Sequence, residues 1–173
     1  MWVIDGYNVI FARRDPGEKF DPRELERERD LLVSLLSRYV AAKSGRAVVV
    51  FDGEQGAGRP PASRPGDRVE VMFSTGRGGA DDAIVGLVMH ARGPGGVTVV
   101  TGDLEISRAV TKLGASVVGA AEFLREVDSA LRRSRGRTED EPLEKTRGIS
   151  AGEVDEWMKI FGHPKDPDLE DKR

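Results

Sequence analysis

Aspartates that could act together recur along this sequence. Asp5 and Asp52 each directly follow an apolar run, Asp103 lies just after a third, and Asp81 and Asp82 stand where a helical pattern begins. Carboxylates that converge repel one another unless a proton or a cation lies between them. Oxygen ligands without His or Cys select Mg²⁺ or Mn²⁺. Such an ion activates water and stabilises charge on a phosphate, so the pattern predicts metal-dependent phosphodiester hydrolysis.

Each aspartate also has an ordinary structural role open to it. Asp5 and Asp52 are both followed by glycine, a pair that is typical of turns, and Asp52 is interpreted as structural or as a supporting residue of the site. Asp81 and Asp82 could favour a helix N-terminus by capping and by their charge, and Asp103 could cap the helix that follows it. Taken singly, none of the five identifies a site. Their arrival at one edge of a sheet is the argument for a shared function.

Other polar residues near these aspartates suit a nucleic-acid ligand. Asn8 lies in the apolar stretch YNVIF and is expected either to cap the first turn or to hold the nearby aspartate by a hydrogen bond. Arg13, Arg14 and Arg77 follow the first and third apolar runs and could contact a phosphate backbone, with plain solvated arginines as the alternative. Tyr7 could stack on a base, although burial is the commoner fate of such a residue.

The elements that must position these residues alternate along the chain. Short β-branched runs predict strands, and helical patterns follow most of them; the strands are predicted at 2–4, 47–51, 69–73, 97–100 and 115–118. Nearly continuous apolar strands fit burial on both faces, so the alternation predicts an α/β fold around a mostly parallel sheet. Whether the second and third strands are parallel stays open, because the Gly- and Pro-rich loop at 53–67 shows no helical pattern.

The sequence shows a clear start signal for the helix that follows the first strand. Asp21 is predicted as its N-cap, with Pro22 in the first helical position and Glu24 completing a capping box. The stretch ARRDPGEKF, residues 12–20, is predicted to be a polar loop, and Gly45 is predicted to end the helix.

The length, net charge and cysteine content of the chain exclude several classes of protein and of metal site. The chain has 173 residues, which suits one domain, and its net charge of −3 excludes a strongly basic footprint, so nucleic-acid binding would need a local basic rim or bound cations. Cysteine is absent, which excludes disulfides and cysteine-ligated metals, and two histidines make a multi-histidine site unexpected. The sequence begins without a basic leader or a long apolar run. A cytoplasmic protein without membrane association is therefore expected.

Four motifs in order resemble a known family. DGYN, VVFDG, GGADDAI and VVTGD look like the NYN domain, in particular the YacP-type nucleases, which are relatives of the PIN domain. The resemblance covers about residues 1–130 and implies a three-layer α/β/α fold with a mostly parallel sheet. It also implies a Mg²⁺- or Mn²⁺-dependent endoribonuclease that cleaves RNA, including messenger RNA on the ribosome. Carried over, Asp5, Asp81 and Asp103 hold the metal, Asn8 is the motif asparagine, and Asp82 assists.

The expected organisation has four parts. Residues 1–133 form the nuclease domain, 134–149 a charged linker, 150–162 a short amphipathic helix and 163–173 a flexible tail. The short helix is expected either to dock back on the domain or to bind a partner.

Two other functions stay open beside the nuclease. The first is a non-catalytic RNA- or ribosome-binding module that keeps the fold. The second is a small-molecule phosphohydrolase or nucleotide-binding protein, although STGRGGADD lacks the Lys-Ser/Thr ending of a phosphate-binding loop. The retained carboxylates favour catalysis over binding alone.

Overall fold

The computed structural model describes residues 1–12, 20–53, 67–74, 78–135 and 151–159. Strands and helices alternate over most of this length. They are β1 (Trp2–Asp5), α1 (Gly6–Phe11), α2 (Pro22–Ala42), β2 (Ala47–Asp52), β3 (Val69–Ser74), α3 (Gly79–Met89), β4 (Thr98–Val100), α4 (Leu104–Lys112), β5 (Ser116–Val118), α5 (Ala120–Arg135) and α6 (Ala151–Lys159), with a 3-10 turn at Pro94–Gly96.

The five strands form one parallel sheet in the order β3-β2-β1-β4-β5. The parallel pairing of β2 with β3 answers the question that the sequence left open. The strand order reverses at β1, because the chain first moves outward to β3 and then returns to place β4 on the other side of β1. In open parallel sheets a ligand crevice lies at such a reversal, outside the carboxyl ends of the strands. We call this side of the sheet the C-terminal edge.

Helices cover both faces of the sheet, so the predicted three-layer α/β/α fold is confirmed. In β2, Val48 and Val50 pack on the side of α3 and α4, whereas Val49 and Phe51 pack on the side of α2, α5 and α6. All four side chains are buried. Alternate residues therefore fill two separate cores, which is why the strand reads as a continuous apolar run rather than as an alternating one.

Helix α1 is an element that the sequence pattern does not predict. It begins directly after β1, with Asp5 as its N-cap, and Asp5 accepts a hydrogen bond from the backbone N–H of Asn8 at 3.1 Å. Gly6 allows the helix to begin directly after the strand. A Cβ atom at Gly6 would lie 2.5 Å from Cδ1 of Phe51 and closer still to its Cε1, so the first residue of α1 must lack a side chain.

Replacing Gly6 with alanine is expected to lower the free energy of unfolding by about 1–3 kcal/mol, because the methyl group forces the buried Phe51 ring to move. The matched control is Gly86→Ala inside α3, where an added Cβ meets nothing within 4 Å. That change is expected to stabilise by about 0.5–1 kcal/mol through helix propensity. Denaturant melts of both variants measure the difference, and equal effects would contradict the close approach at Gly6.

The capping box at the start of α2 is confirmed. Asp21 accepts bonds from the backbone N–H groups of Arg23 at 2.8 Å and Glu24 at 2.9 Å, and the Glu24 carboxylate accepts from the N–H of Asp21 at 3.1 Å. The helix ends at Ala42, before the predicted stop at Gly45. Ser44 takes a positive φ of 52°, and the N–H of Gly45 returns to the carbonyl of Val40 at 2.9 Å. The chain therefore leaves the helix earlier and turns through Ser44.

The C-terminal helix docks back on the domain, which is one of the two expected arrangements. Val154, Trp157 and Met158 are buried in the same core as the apolar face of α2. Trp157 Nε1 donates to Glu28 Oε2 at 2.7 Å, and Arg27 pairs with Glu153 at 3.1 Å.

The predicted domain boundaries stay a prediction. Helix α5 continues to Arg135, past the predicted domain end at 133. Of the predicted linker and tail, 136–149 and 163–173 lie outside the described residues. Within the described ranges, every helix is too short or too polar to cross a lipid bilayer.

Candidate active site

The candidate site lies where β1 and β4 end side by side at the C-terminal edge. Asp5 is the last residue of β1, and the segment Thr101-Gly102-Asp103 connects β4 to α4. The sequence predicted that Asp5 and Asp103 would meet at this edge, and the parallel pairing of the two strands places them there.

Thr101 joins the two aspartates. Its hydroxyl donates to Asp5 Oδ2 at 3.2 Å and accepts from the backbone N–H of Asp103 at 3.1 Å. Because the Thr101 residue is only 2% exposed, this bridge is shielded from water. The other oxygen of Asp5 accepts the N–H of Asn8, so both carboxylate oxygens of Asp5 are oriented by hydrogen bonds.

Asn8 fixes the neighbouring loop. Its side-chain Oδ1 accepts from the backbone N–H of Gly102 at 2.8 Å. The contact of Asn8 with Asp5 is made by its backbone and not by its side chain. Asn8 therefore ties α1 to the loop after β4, and its amide nitrogen lies beside Gly102 at the mouth of the crevice.

Asp103 has a structural role that the sequence offered as the alternative. Its Oδ1 caps α4 by accepting from the backbone N–H groups of Glu105 at 2.6 Å and Ile106 at 3.1 Å. Among the described residues, Oδ2 has no hydrogen-bond partner. Capping thus fixes the direction of the carboxylate and leaves one oxygen for a ligand.

Asp81 and Asp82 lie exposed in the first turn of α3, whose N-cap Gly78 makes no side-chain cap bond. The Asp82 carboxylate lies over Gly78, where any Cβ would overlap it. Asp52, at the end of β2, lies against the same turn, because a Cβ at Gly79 would be 3.1 Å from Asp52 Oδ2. These three carboxylates therefore surround the start of α3.

The carboxylates act on one another electrostatically. Burial is the largest cause of the raised pKa of Asp5; hydrogen bonds from Asn8 and Thr101 oppose it, and the charges of Asp81 and Asp103 raise it further. Burial also leads the upward shift of the Asp81 pKa, followed by the charges of Asp103 and Asp52. Negative charge is thus concentrated at the C-terminal edge, and the charged groups that raise these pKa values are all carboxylates.

The donor chemistry fits a hard divalent cation. All candidate ligands are carboxylate oxygens, the set that Mg²⁺ and Mn²⁺ prefer. In the part of the chain that the structure describes, no group of three or more His, Asp or Glu side chains is arranged to hold a metal ion. An ion would therefore have to draw these side chains closer together against their mutual repulsion.

The predicted RNA contacts of three arginines stay predictions. Arg13 and Arg14 fall in 13–19 and Arg77 in 75–77, outside the described ranges. Tyr7 is 5% exposed, and its hydroxyl accepts from Arg29 Nη1 at 3.0 Å, so its ring is not available to a base.

Sequence reasoning missed Thr101 and Arg29. The signal for Thr101 was present, since a hydroxyl residue between an apolar strand and Gly-Asp is well placed to bond the cap residue's N–H. Arg29 gave no such signal, because it lies in a strongly charged stretch of α2 yet is 1% exposed.

Replacing Thr101 with valine keeps the shape and removes the bridge between Asp5 and Asp103. If the site carries out the metal-dependent phosphodiester hydrolysis that the sequence predicts, we expect that activity to fall about 10–100-fold, the usual effect of losing a residue that orients a metal ligand. Thr101→Ser should restore most of it because the hydroxyl returns. The measurement is the initial rate across a titration of Mn²⁺; a rate unchanged in the valine variant would show that the bridge has no functional role.

Comparisons with known proteins identify the family and the fold. Residues 2–161 match the model of the YacP-like NYN domain. YacP of Bacillus subtilis (strain 168) is 30% identical over 170 residues, which span 97% of this chain and 98% of that protein. The crystal structure of Rae1 (YacP) from Bacillus subtilis has 29% identity and a TM-score of 0.63 over 79% of this chain and 78% of that one. The crystal structure of a mutant of Rae1 gives 27% identity, with a TM-score of 0.62 over 92% of this chain and 91% of that one. The chain therefore belongs to the YacP-like NYN domain family.

Proposed function

We propose that this protein is a Mg²⁺- or Mn²⁺-dependent endoribonuclease that hydrolyses phosphodiester bonds in RNA. The observation that carries the proposal is that Asp5 and Asp103 lie side by side where β1 and β4 end, joined through the hydroxyl of Thr101. Asp81, in the first turn of α3, is close enough for its charge to raise the pKa of Asp5. Membership of the NYN family supports the proposal. Messenger RNA on the ribosome is the proposed natural substrate, which makes the cytoplasm the proposed location.

The residues of the site have distinct proposed roles. Asp5, Asp81 and Asp103 would hold the cation, which when bound supplies an activated water and stabilises charge on the phosphate. Thr101 and Asn8 keep Asp5 and the loop after β4 in fixed positions through the bonds described above.

Further residues have supporting roles in the proposal. Asp52 and Asp82 add negative charge beside Asp81 and would strengthen cation binding. Arg13, Arg14 and Arg77 are proposed to position the RNA backbone.

The test is cleavage of end-labelled RNA with Mn²⁺ or Mg²⁺ present and with both chelated. Naked RNA and RNA in a translating extract are compared. Internal cuts that need the metal would support the proposal, and cuts restricted to the extract would show that the ribosome or another factor presents the substrate. RNA binding without cuts in either setting would instead favour the non-catalytic module. Release of phosphate from mononucleotides alone would favour the small-molecule enzyme.

A further inference from the structure

Arg29 of α2 is the one charged side chain that is fully buried among the described residues, with 1% of the residue exposed. Burying a guanidinium is costly, and proteins usually pair such a group with a carboxylate. Within the described ranges no carboxylate forms an ion pair with Arg29, and its Nε has no hydrogen-bond partner. An apolar residue of similar size would avoid this cost, so stability alone does not explain the arginine.

The contacts of Arg29 connect α2 with α1 and with β3. Its Nη1 donates a hydrogen bond to the hydroxyl of Tyr7 in α1 at 3.0 Å. Its guanidinium carbon lies 5.7 Å from the centre of the Phe73 ring in β3. The Tyr7 ring in turn packs against Phe51 of β2 at a centroid distance of 5.1 Å. Tyr7 is therefore held both by its ring and by its hydroxyl group.

Tyr7 lies in the chain between two residues of the candidate site. Asp5 precedes it as the N-cap of α1, and Asn8 follows it and holds the backbone N–H of Gly102 with its side chain. Helix α1 has only six residues, so its position depends on contacts with the rest of the protein. A rotation of α1 would move the Asp5 carboxylate and the Asn8 amide together. The hydrogen bond from Arg29 opposes such a rotation because hydrogen bonds are directional.

We propose that Arg29 is a positioning residue of the candidate site. By holding the Tyr7 hydroxyl it fixes α1, so that the Asp5 carboxylate is oriented for the cation and Asn8 keeps the loop after β4 in place. The inference rests on the proposed function, because it gives Arg29 a role toward the cation of that site. An apolar side chain would fill the same space without making the bond. The buried charge thus serves the orientation of the site and not the stability of the fold.

The double variant Tyr7→Phe/Arg29→Met separates orientation from stability. It removes both partners of the hydrogen bond, so neither is left buried and unpaired, and it should melt at or above the wild-type temperature in the presence of chelator. Arg29→Met alone should melt lower, because it leaves the buried Tyr7 hydroxyl without its donor. Arg23→Met is the control, since Arg23 is exposed in the first turn of the same helix. It should match the wild type in every measurement.

Two further measurements report on the site itself. The first is binding of Mn²⁺ alone by titration calorimetry, which should weaken about 10–100-fold in the single and the double variant, the usual effect of losing a residue that orients a metal ligand. The second is hydrogen exchange of the Gly102 amide in the metal-free protein, followed by NMR. Gly102 is exposed and its N–H bonds to Asn8, so this amide should exchange faster in the double variant than in Arg23→Met.

A double variant with the wild-type Mn²⁺ affinity, or with wild-type exchange at Gly102, would overturn the inference. So would a double variant that fails to fold, because the fold itself would then require the guanidinium. Metal-dependent RNA cleavage by the wild type alongside any of these results would leave the proposed function intact. Wild-type protein that binds no Mn²⁺ and cleaves no RNA would overturn the proposed function. Faster exchange at Gly102 in the double variant would then still support the part of the inference in which Arg29 positions α1.

Discussion

Asp81→Asn is expected to reduce metal-dependent RNA cleavage by more than about 100-fold, since residues that merely orient a metal ligand already cost about 10–100-fold. Asparagine keeps the size of the side chain and removes its charge. Asp81 is exposed and α3 has no side-chain cap bond, so the change removes little that the fold needs. Removing the negative charge of Asp81 also relieves the repulsion among the carboxylates. The metal-free variant should therefore be at least as stable as the wild type.

The matched control for Asp81→Asn is Glu70→Gln, which neutralises an exposed carboxylate on β3 away from the C-terminal edge. It should cleave RNA at the wild-type rate. Circular dichroism and thermal melts of both variants establish that they are folded. Cleavage by Asp81→Asn at the wild-type rate would remove Asp81 from the site and with it the main support for the proposed metal centre.

Divalent cations are expected to stabilise the protein most at neutral pH. Burial and neighbouring carboxylates raise the pKa of Asp5 and of Asp81, so the folded state holds more protons than the unfolded state between the ordinary and the raised pKa values. Without metal, the free energy of unfolding therefore falls as pH rises through this window, which begins near the ordinary aspartate pKa of about 4. A bound cation removes this penalty by neutralising the same charge.

The expected gain is about 2.7 kcal/mol when the free cation is at about 100 times its dissociation constant. Melting temperatures with Mn²⁺ and with chelator, measured at neutral pH and near pH 5, provide the test. The shift should be smaller at the acidic pH because protons compete for the carboxylates. It should disappear in the double variant Asp5→Asn/Asp81→Asn, and an equal shift in that variant would place the cation elsewhere.

The parts of the fold that sequence analysis predicted correctly have local signals. The strands are buried on both faces, so runs such as Val48-Val49-Val50 stand out against a highly charged chain. The start of α2 could be predicted from the capping box that begins at Asp21, because this motif is complete within four consecutive residues. The position of Asp5 and Asp103 at one edge follows once the strands are known to be parallel.

The parts that were missed depend on contacts between distant residues. Helix α1 is six residues long, too short to be stable alone, and it forms because Gly6 fits against Phe51. The bond from Thr101 to Asp5 spans 96 positions, which no local pattern reveals. Burial of Arg29 likewise follows from how α2 packs on Tyr7, and the local sequence suggests only a solvated arginine.

The central place of β1 has a consequence for how the protein is made. Its residues are synthesised well before those of β4, yet Trp2 pairs with Ala47 on one side and with Thr98 on the other. Pairing between residues that are distant in sequence needs both partners to have been synthesised, and it slows folding. Asp5 therefore cannot meet Thr101 and Asp103 until the greater part of the chain has left the ribosome. A nascent chain lacks the assembled site, so under the proposed function it cannot cleave the messenger RNA from which it is itself being translated.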